Sequence, residues 1–188
     1  GIATLDAVTG GLPRGGITEI CGPPSTGRTS MMFSILAGAA AREEVSALID
    51  GSDAFDPKTA AAAGLDLKRL LWVRCHTLEQ VLKSTDLVLQ GGGFGCVVMD
   101  LSDLPLPGIR SIPLAAWFRL QRTIEKTPAV LVVMAPESTA QSAAMLVLRL
   151  KMRGVDWSTV LNGVDLNIEI LRSRRGHLNS KFEFRISK

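Results

Sequence analysis

Short apolar runs recur along the chain, most of them followed by a stretch with helical spacing. Gly16 to Cys21 predicts a strand, and Met31 to Ala41 continues as a helix with few charges. Val45 to Asp50 is a second strand ending in a carboxylate, and Lys58 to Ala63 a short alanine-rich helix. Leu70 to Val73 reads as a third strand. Leu78, Val81, Leu82, Leu87 and Leu89 then carry a helical apolar pattern that stops at Gly91-Gly92-Gly93. Cys96 to Asp100 is a fourth strand, again ending in Asp. Ile112 to Glu125 is an amphipathic helix and Ala129 to Met134 a fifth strand. Nearly continuous apolar strands alternating with helices predict an α/β fold: a mainly parallel sheet with helices on both faces. The remainder changes character. Leu146 to Met152, Val164 to Arg172 and Lys181 to Ser187 read as strands without helices between them, expected as an antiparallel C-terminal edge. No repeat, linker or low-complexity tract interrupts the pattern, so residues 1–188 are expected to form a single domain.

Composition narrows the class. Hydrophobic residues make up 46% of the chain, yet no apolar run approaches membrane-spanning length, so no membrane association is expected. Cys21, Cys75 and Cys96 are odd in number, widely spaced and set in apolar stretches. With no signal peptide visible at the start, they read as buried thiols of a cytoplasmic protein rather than a disulfide frame or a metal site. The net charge of +3 is uneven: residues 149–188 hold nine Lys and Arg against four Asp and Glu. A basic end suits either an acidic partner or a solvated strand face. Three Trp and no Tyr leave few candidates for a base-stacking platform.

The chemistry is concentrated after the first strand. Gly22-Pro23-Pro24-Ser25-Thr26-Gly27-Arg28-Thr29-Ser30 matches the phosphate-binding template G-x-x-x-x-G-K-[ST] at both glycines and at the hydroxyl. In that template backbone N–H groups cradle phosphates, Lys reaches the β/γ-phosphates and the hydroxyl holds Mg²⁺. A strand, a glycine loop and a helix N-terminus supply the anion site through unpaired N–H groups and the helix dipole. Gly22, Ser25, Thr26, Gly27, Arg28, Thr29 and Ser30 are the candidate nucleotide contacts. Asp100, at the carboxyl end of an apolar strand, sits where the Walker-B carboxylate belongs, so Thr29 and Asp100 are the candidate metal ligands. Arg28 occupies the place of the Lys, and Pro24 removes one N–H from the loop.

Thr4-Leu5-Asp6 followed by Gly10-Gly11-Leu12-Pro13-Arg14-Gly15-Gly16-Ile17-Thr18-Glu19-Ile20-Cys21-Gly22-Pro23 resembles the start of the RecA recombinase core. Leu48 to Pro57 and Ala61 to Leu71 resemble the segments that follow its second strand. Within this superfamily the chain is most similar to the ImuA-type accessory proteins of bacterial damage-induced mutagenesis. The resemblance implies a RecA-like P-loop core, and it also marks departures. The catalytic Glu of the Ile-Asp-x-Glu-x-x-x-Asp-Pro segment falls on Ser52, and loss of a general base removes roughly 10²–10⁴ in rate. Asp53 is one residue off and on an extended segment would point elsewhere. Arg28 is a poor substitute where a compact ammonium must fit under phosphates. No catalytic residue is therefore assigned, and ATP and Mg²⁺ are expected to bind weakly or not at all.

The loops matching the DNA-binding loops of RecA shrink to Ser102–Ser111 and Pro136–Ser142, the second with Glu137 and no cation. Nucleic-acid binding is expected to be weak at most. Leu171-Arg172-Ser173-Arg174-Arg175-Gly176 resembles the strand end that reaches a neighbouring protomer's nucleotide, which makes Arg172, Arg174 and Arg175 candidate partner contacts. A solvated basic tip is the other reading of the same residues. The expected function is a RecA-like accessory protein in DNA repair and translesion mutagenesis, contacting a RecA-family filament or an error-prone polymerase complex. The rival is a fully or weakly active DNA-dependent P-loop ATPase or recombinase that tolerates Arg28.

Overall fold

The computed structural model describes Asp6 and residues 9–157, 161–174 and 181–187, with side chains described outside 152–166 and 181–187. In chain order the elements are β1 (Gly16–Cys21), α1 (Arg28–Ala41), β2 (Ser46–Asp50), α2 (Pro57–Ala62), β3 (Leu70–Arg74), α3 (Leu78–Gly91) and β4 (Cys96–Asp100). They continue with α4 (Leu106–Arg110), α5 (Leu114–Ile124), β5 (Val130–Ala135), β6 (Ala144–Trp157), β7 (Leu161–Ser173) and β8 (Lys181–Ser187).

The strands form one eight-stranded sheet in the order β3-β2-β4-β5-β1-β6-β7-β8. β1 to β5 run parallel, as their apolar character required. The C-terminal strands extend this sheet, with one refinement. β6 pairs parallel with β1, so antiparallel pairing begins only at β7 and continues with β8. Antiparallel neighbours need no crossover helix between them, in keeping with the lack of a helical pattern in this part of the sequence.

Alternate residues of each central strand feed opposite faces. On one face Ile20, Leu48, Val98 and Val132 pack against Met31, Leu36 and Ala39 of α1. On the other, Ile17, Val97, Met99 and Leu131 meet Val81 and Leu89 of α3 and Trp117, Leu120 and Ile124 of α5. Burial of each such large apolar side chain is worth about 1.5–3 kcal/mol, so the helices are fixed from both sides.

Local chemistry sets the helix starts. Asp56 caps α2 by accepting from Lys58 N and Thr59 N, with Pro57 at the first helical position. Thr77 caps α3 by accepting from Gln80 N. α5 starts at Leu114, two residues later than its apolar pattern, because Pro113 holds an extended conformation before it. α4 is an addition: its single turn lies in a stretch that reads as plain loop, with proline in its first turn.

Candidate nucleotide site

The loop after β1 has the shape its sequence predicts. Gly27 is left-handed (φ 76°) and caps α1 without any side-chain hydrogen bond. The first-turn N–H groups of α1 therefore have no side-chain acceptor from the cap residue, which fits the phosphate cradle of a nucleotide. Gly22 is needed for close approach: a Cβ there would lie 2.6 Å from the Leu150 carbonyl oxygen and 2.7 Å from Thr26 Oγ1. Thr26 is buried and donates to the Pro23 carbonyl at 2.8 Å, closing the loop on itself. Ser25 adopts φ 62° and is exposed, Thr29 is exposed, and Ser30 is half-buried with its carbonyl accepting from Ser34 Oγ.

Arg28 lies differently from a free phosphate-binding cation. It is only 7% exposed, and its Nη1 donates to the Ser102 carbonyl at 3.2 Å. The guanidinium thus bridges the loop to the turn after β4. It still lines an open cleft of about 500 Å³, bounded by the loop, by Asp56 and Thr59 at the start of α2, and by Asp100 and Asp103.

Two strands end in aspartate at this end of the sheet, and hydrogen bonding separates them. Asp50 Oδ1 accepts from Ser52 N and Ala54 N, and its Oδ2 accepts from Phe55 N and Trp72 Nε1. A carboxylate has about four lone-pair positions, so Asp50 is fully used in shaping its own turn. Asp100 accepts at Oδ1 from Ser102 N at 2.9 Å. Burial pushes its carboxyl above the ordinary range, helped by the charges of Asp50 and Asp103 and opposed by bonds from Ser102. Asp100 keeps acceptor capacity and faces the cleft that Thr29 also lines, so these two could hold a divalent cation beside a phosphate.

The segment where the resemblance puts a catalytic Glu is also described. Among the described residues Ser52 Oγ is buried without a hydrogen-bond partner, and Ser52 does not line the cleft. Asp53 (φ 54°) turns to the sheet edge, where Arg74 donates to both its oxygens at 2.6 Å. That bidentate contact holds its carboxyl below the usual range.

Sequence reasoning gave Glu19 no role, yet it organises the loop after β5. It lies in the middle of β1 with 0% exposure. It accepts from Ser138 Oγ (2.7 Å), Thr139 N (2.6 Å), Thr139 Oγ1 (3.0 Å) and Ala140 N (3.0 Å). An acidic residue inside a buried strand was the signal available. Arg172 and Arg174 hold the same loop from the other side, donating to the carbonyls of Gln141 and Ser142. Both guanidiniums remain on exposed residues, and Arg175 lies outside the described residues. Arg110 and Glu137 join the loops after β4 and β5 through a bidentate pair at 2.5 and 2.8 Å.

A parallel sheet with a glycine loop running into a helix N-terminus, and an aspartate at the end of a neighbouring strand, defines a P-loop α/β protein. Comparison with known proteins sharpens this. Residues 1–107 match the RecA N-terminal domain, and the chain belongs to the RecA family. It is 40% identical over 102 residues to Protein RecA of Symbiobacterium thermophilum, covering 53% of this chain and 29% of that one. Protein RecA of Chlorobium chlorochromatii is 37% identical over 91 residues, covering 48% of this chain and 26% of the relative. For Protein RecA of Mycobacterium ulcerans the identity is 41% over 91 residues, with the same two shares. The matched stretch thus spans less than a third of each relative's own length. Among the described residues no helix is long and apolar enough to cross a membrane.

Proposed function

We propose that this RecA-like protein works as an accessory factor in DNA repair, of the ImuA type in damage-induced mutagenesis, acting through protein contacts rather than ATP turnover. The observation that carries this reading is the state of the cleft. The cation of the loop is an arginine tied to the Ser102 carbonyl, and no carboxylate stands at the position of the base, where the Ser52 hydroxyl is buried and Asp53 is held by Arg74. ATP with Mg²⁺ would be held by the loop N–H groups, Thr29 and Asp100, with Arg28 a weaker phosphate ligand than a free lysine. Partners in this reading are a RecA-family filament or an error-prone polymerase complex, met through the end of β7 that carries Arg172 and Arg174. Single-stranded DNA binds weakly if at all.

Purified protein should show no ATP hydrolysis above background, with or without single-stranded DNA. Arg28→Lys combined with Ser52→Glu should restore more than either change alone, since residues acting as a catalytic unit are non-additive. Robust hydrolysis by the unmodified chain that disappears in Thr29→Ala would overturn the reading and favour the active ATPase.

A further inference from the structure

A second cavity lies at the other end of the sheet from the P-loop. It opens between α3 and α5, where β4 and β5 begin, and has a volume of about 870 Å³. Its floor is apolar: Val88, Leu89, Phe94, Val97 and Phe118 all line it, and Leu89 and Val97 belong to the packed core beneath. Gly92 and Gly93, both at positive φ, form one lip, where a Cβ would meet nothing within 4 Å. The opposite lip is Arg119, Arg122 and Lys126, all exposed, and no Asp or Glu lines the cleft. Arg119 leans on Asp86 at 3.6 Å. Arg122 and Lys126 make no ion pair among the described residues.

The spacing of these cations decides the occupant. Arg119, Arg122 and Lys126 are three and four residues apart, which aligns them along one edge of α5 and its C-terminal extension over about 10 Å. A single small carboxylate would meet one of them and leave the others unanswered. A nucleic-acid backbone would answer the charges but leave the aliphatic floor exposed to water. A helix with acidic residues at the same period and large apolar residues on the adjoining edge satisfies both features, as in other helix-in-groove contacts. We propose that the cleft between α3 and α5 docks a short amphipathic helix of a partner protein, with Leu or Phe entering the cavity and Asp or Glu along the Arg119–Lys126 edge. This surface does not involve the nucleotide cleft, so it stands or falls separately from the function proposed above.

The probe is a fluorescein-labelled helical peptide of about 14 residues, with Leu and Phe at helical spacing and Glu on the neighbouring edge, followed by anisotropy. The native chain should bind it with Kd on the order of 10 μM. Arg122→Glu/Lys126→Glu should weaken binding at least about tenfold while leaving the thermal melt in place, because both side chains are exposed and make no ion pair among the described residues. A peptide with Lys in place of Glu should recover binding to that variant. Replacing the Leu and Phe anchors by Ala should abolish binding to the native chain. The proposal is overturned if the peptide does not bind, if charge reversal or Gln-for-Glu peptides leave affinity unchanged, or if oligodeoxythymidine or laurate displaces the peptide and occupies the cleft more tightly.

Discussion

Replacing Glu19 by Leu isolates the device that holds the loop after β5. The substitution keeps the volume of a buried strand position while removing the acceptor of four hydrogen bonds. Ser138 is exposed and can turn its hydroxyl to water. Thr139 and Ala140 are buried, so two backbone N–H groups and the Thr139 hydroxyl lose their partner with no replacement in place. At about 1–3 kcal/mol for each of these three buried unsatisfied groups, the sum is roughly 3–9 kcal/mol if the loop stays put. Local opening that admits water limits the loss, so we expect about 3 kcal/mol. That is a large part of the 5–15 kcal/mol typical of a folded domain, and corresponds to a fall in Tm of about 6–12 °C.

Glu19→Gln supplies the control. Its carbonyl can still accept from Thr139 and Ala140, and its amide can donate to the Ser138 hydroxyl, so the loss should be about 1–2 kcal/mol. Urea unfolding of the three proteins, read by tryptophan fluorescence, to which the buried Trp117 contributes, and by circular dichroism, gives both differences. A Leu variant within 1 kcal/mol of the native chain, or a Gln variant as damaged as the Leu variant, would refute the reasoning. The first outcome would mean the loop needs no internal acceptor, and the second that charge rather than acceptor geometry holds it.

Other outcomes follow from the same structure. Burial, with the charge of Glu19 nearby, pushes the Cys21 thiol up to about 11, and burial pushes Cys96 up to about 12, so neither should react with iodoacetamide at pH 8 until the protein is unfolded; mass spectrometry after labelling checks this. The carboxyls of Asp53, Asp56 and Glu137 are held below their ordinary range, chiefly by hydrogen bonds from Arg74, Thr59 and Arg110 respectively. Their contribution is present above the unfolded carboxylate range near pH 4 and is lost as pH falls through the lower folded values, so Tm should decline on acidification below about pH 4 and decline less in Asp53→Asn. Arg172→Glu/Arg174→Glu should lower co-sedimentation with RecA filaments, and equal binding by the charge-reversed protein would remove the β7 end as a docking surface. Any single-stranded DNA binding should weaken steeply with added salt, measured by anisotropy; tight, salt-resistant binding would contradict the short loops.

Much of the fold was legible because each buried strand is a nearly unbroken apolar run and each helix carries its own period. β1, β4 and β5 fall within a residue of their apolar limits, since burial on both faces leaves no other pattern for those segments. The direction of β6 was not legible. Its run from Leu146 looks like the two strands that follow, and only the connection after β5, which passes over Glu19 before entering β6, brings it in parallel to β1. α4 was missed because a single turn has too few residues to show a period. At the site, the glycines and hydroxyl of the loop announced its shape, whereas the contacts of Arg28 and Asp53 depend on Ser102 and Arg74, residues 74 and 21 positions away in sequence.

The three carboxylates on the central strands show why residue type alone could not rank them. Asp50, Asp100 and Glu19 all sit on buried strands, and any of them could be read as a metal or catalytic acid. Counting donors separates the roles. Asp50 takes four bonds, three of them from the backbone of its own turn, and Glu19 takes four from the loop after β5. Both are saturated, and each fixes a loop. Asp100 accepts only from Ser102 and lines the cleft with Thr29, so it alone of the three has lone pairs left for a ligand. The same count applies to the arginines. Arg110, Arg172 and Arg174 spend donors on Glu137, Gln141 and Ser142, so the loop after β5 is tied to α4 on one side and to β7 on the other. A loop held by its own chain in this way loses little conformational entropy when a partner docks on it.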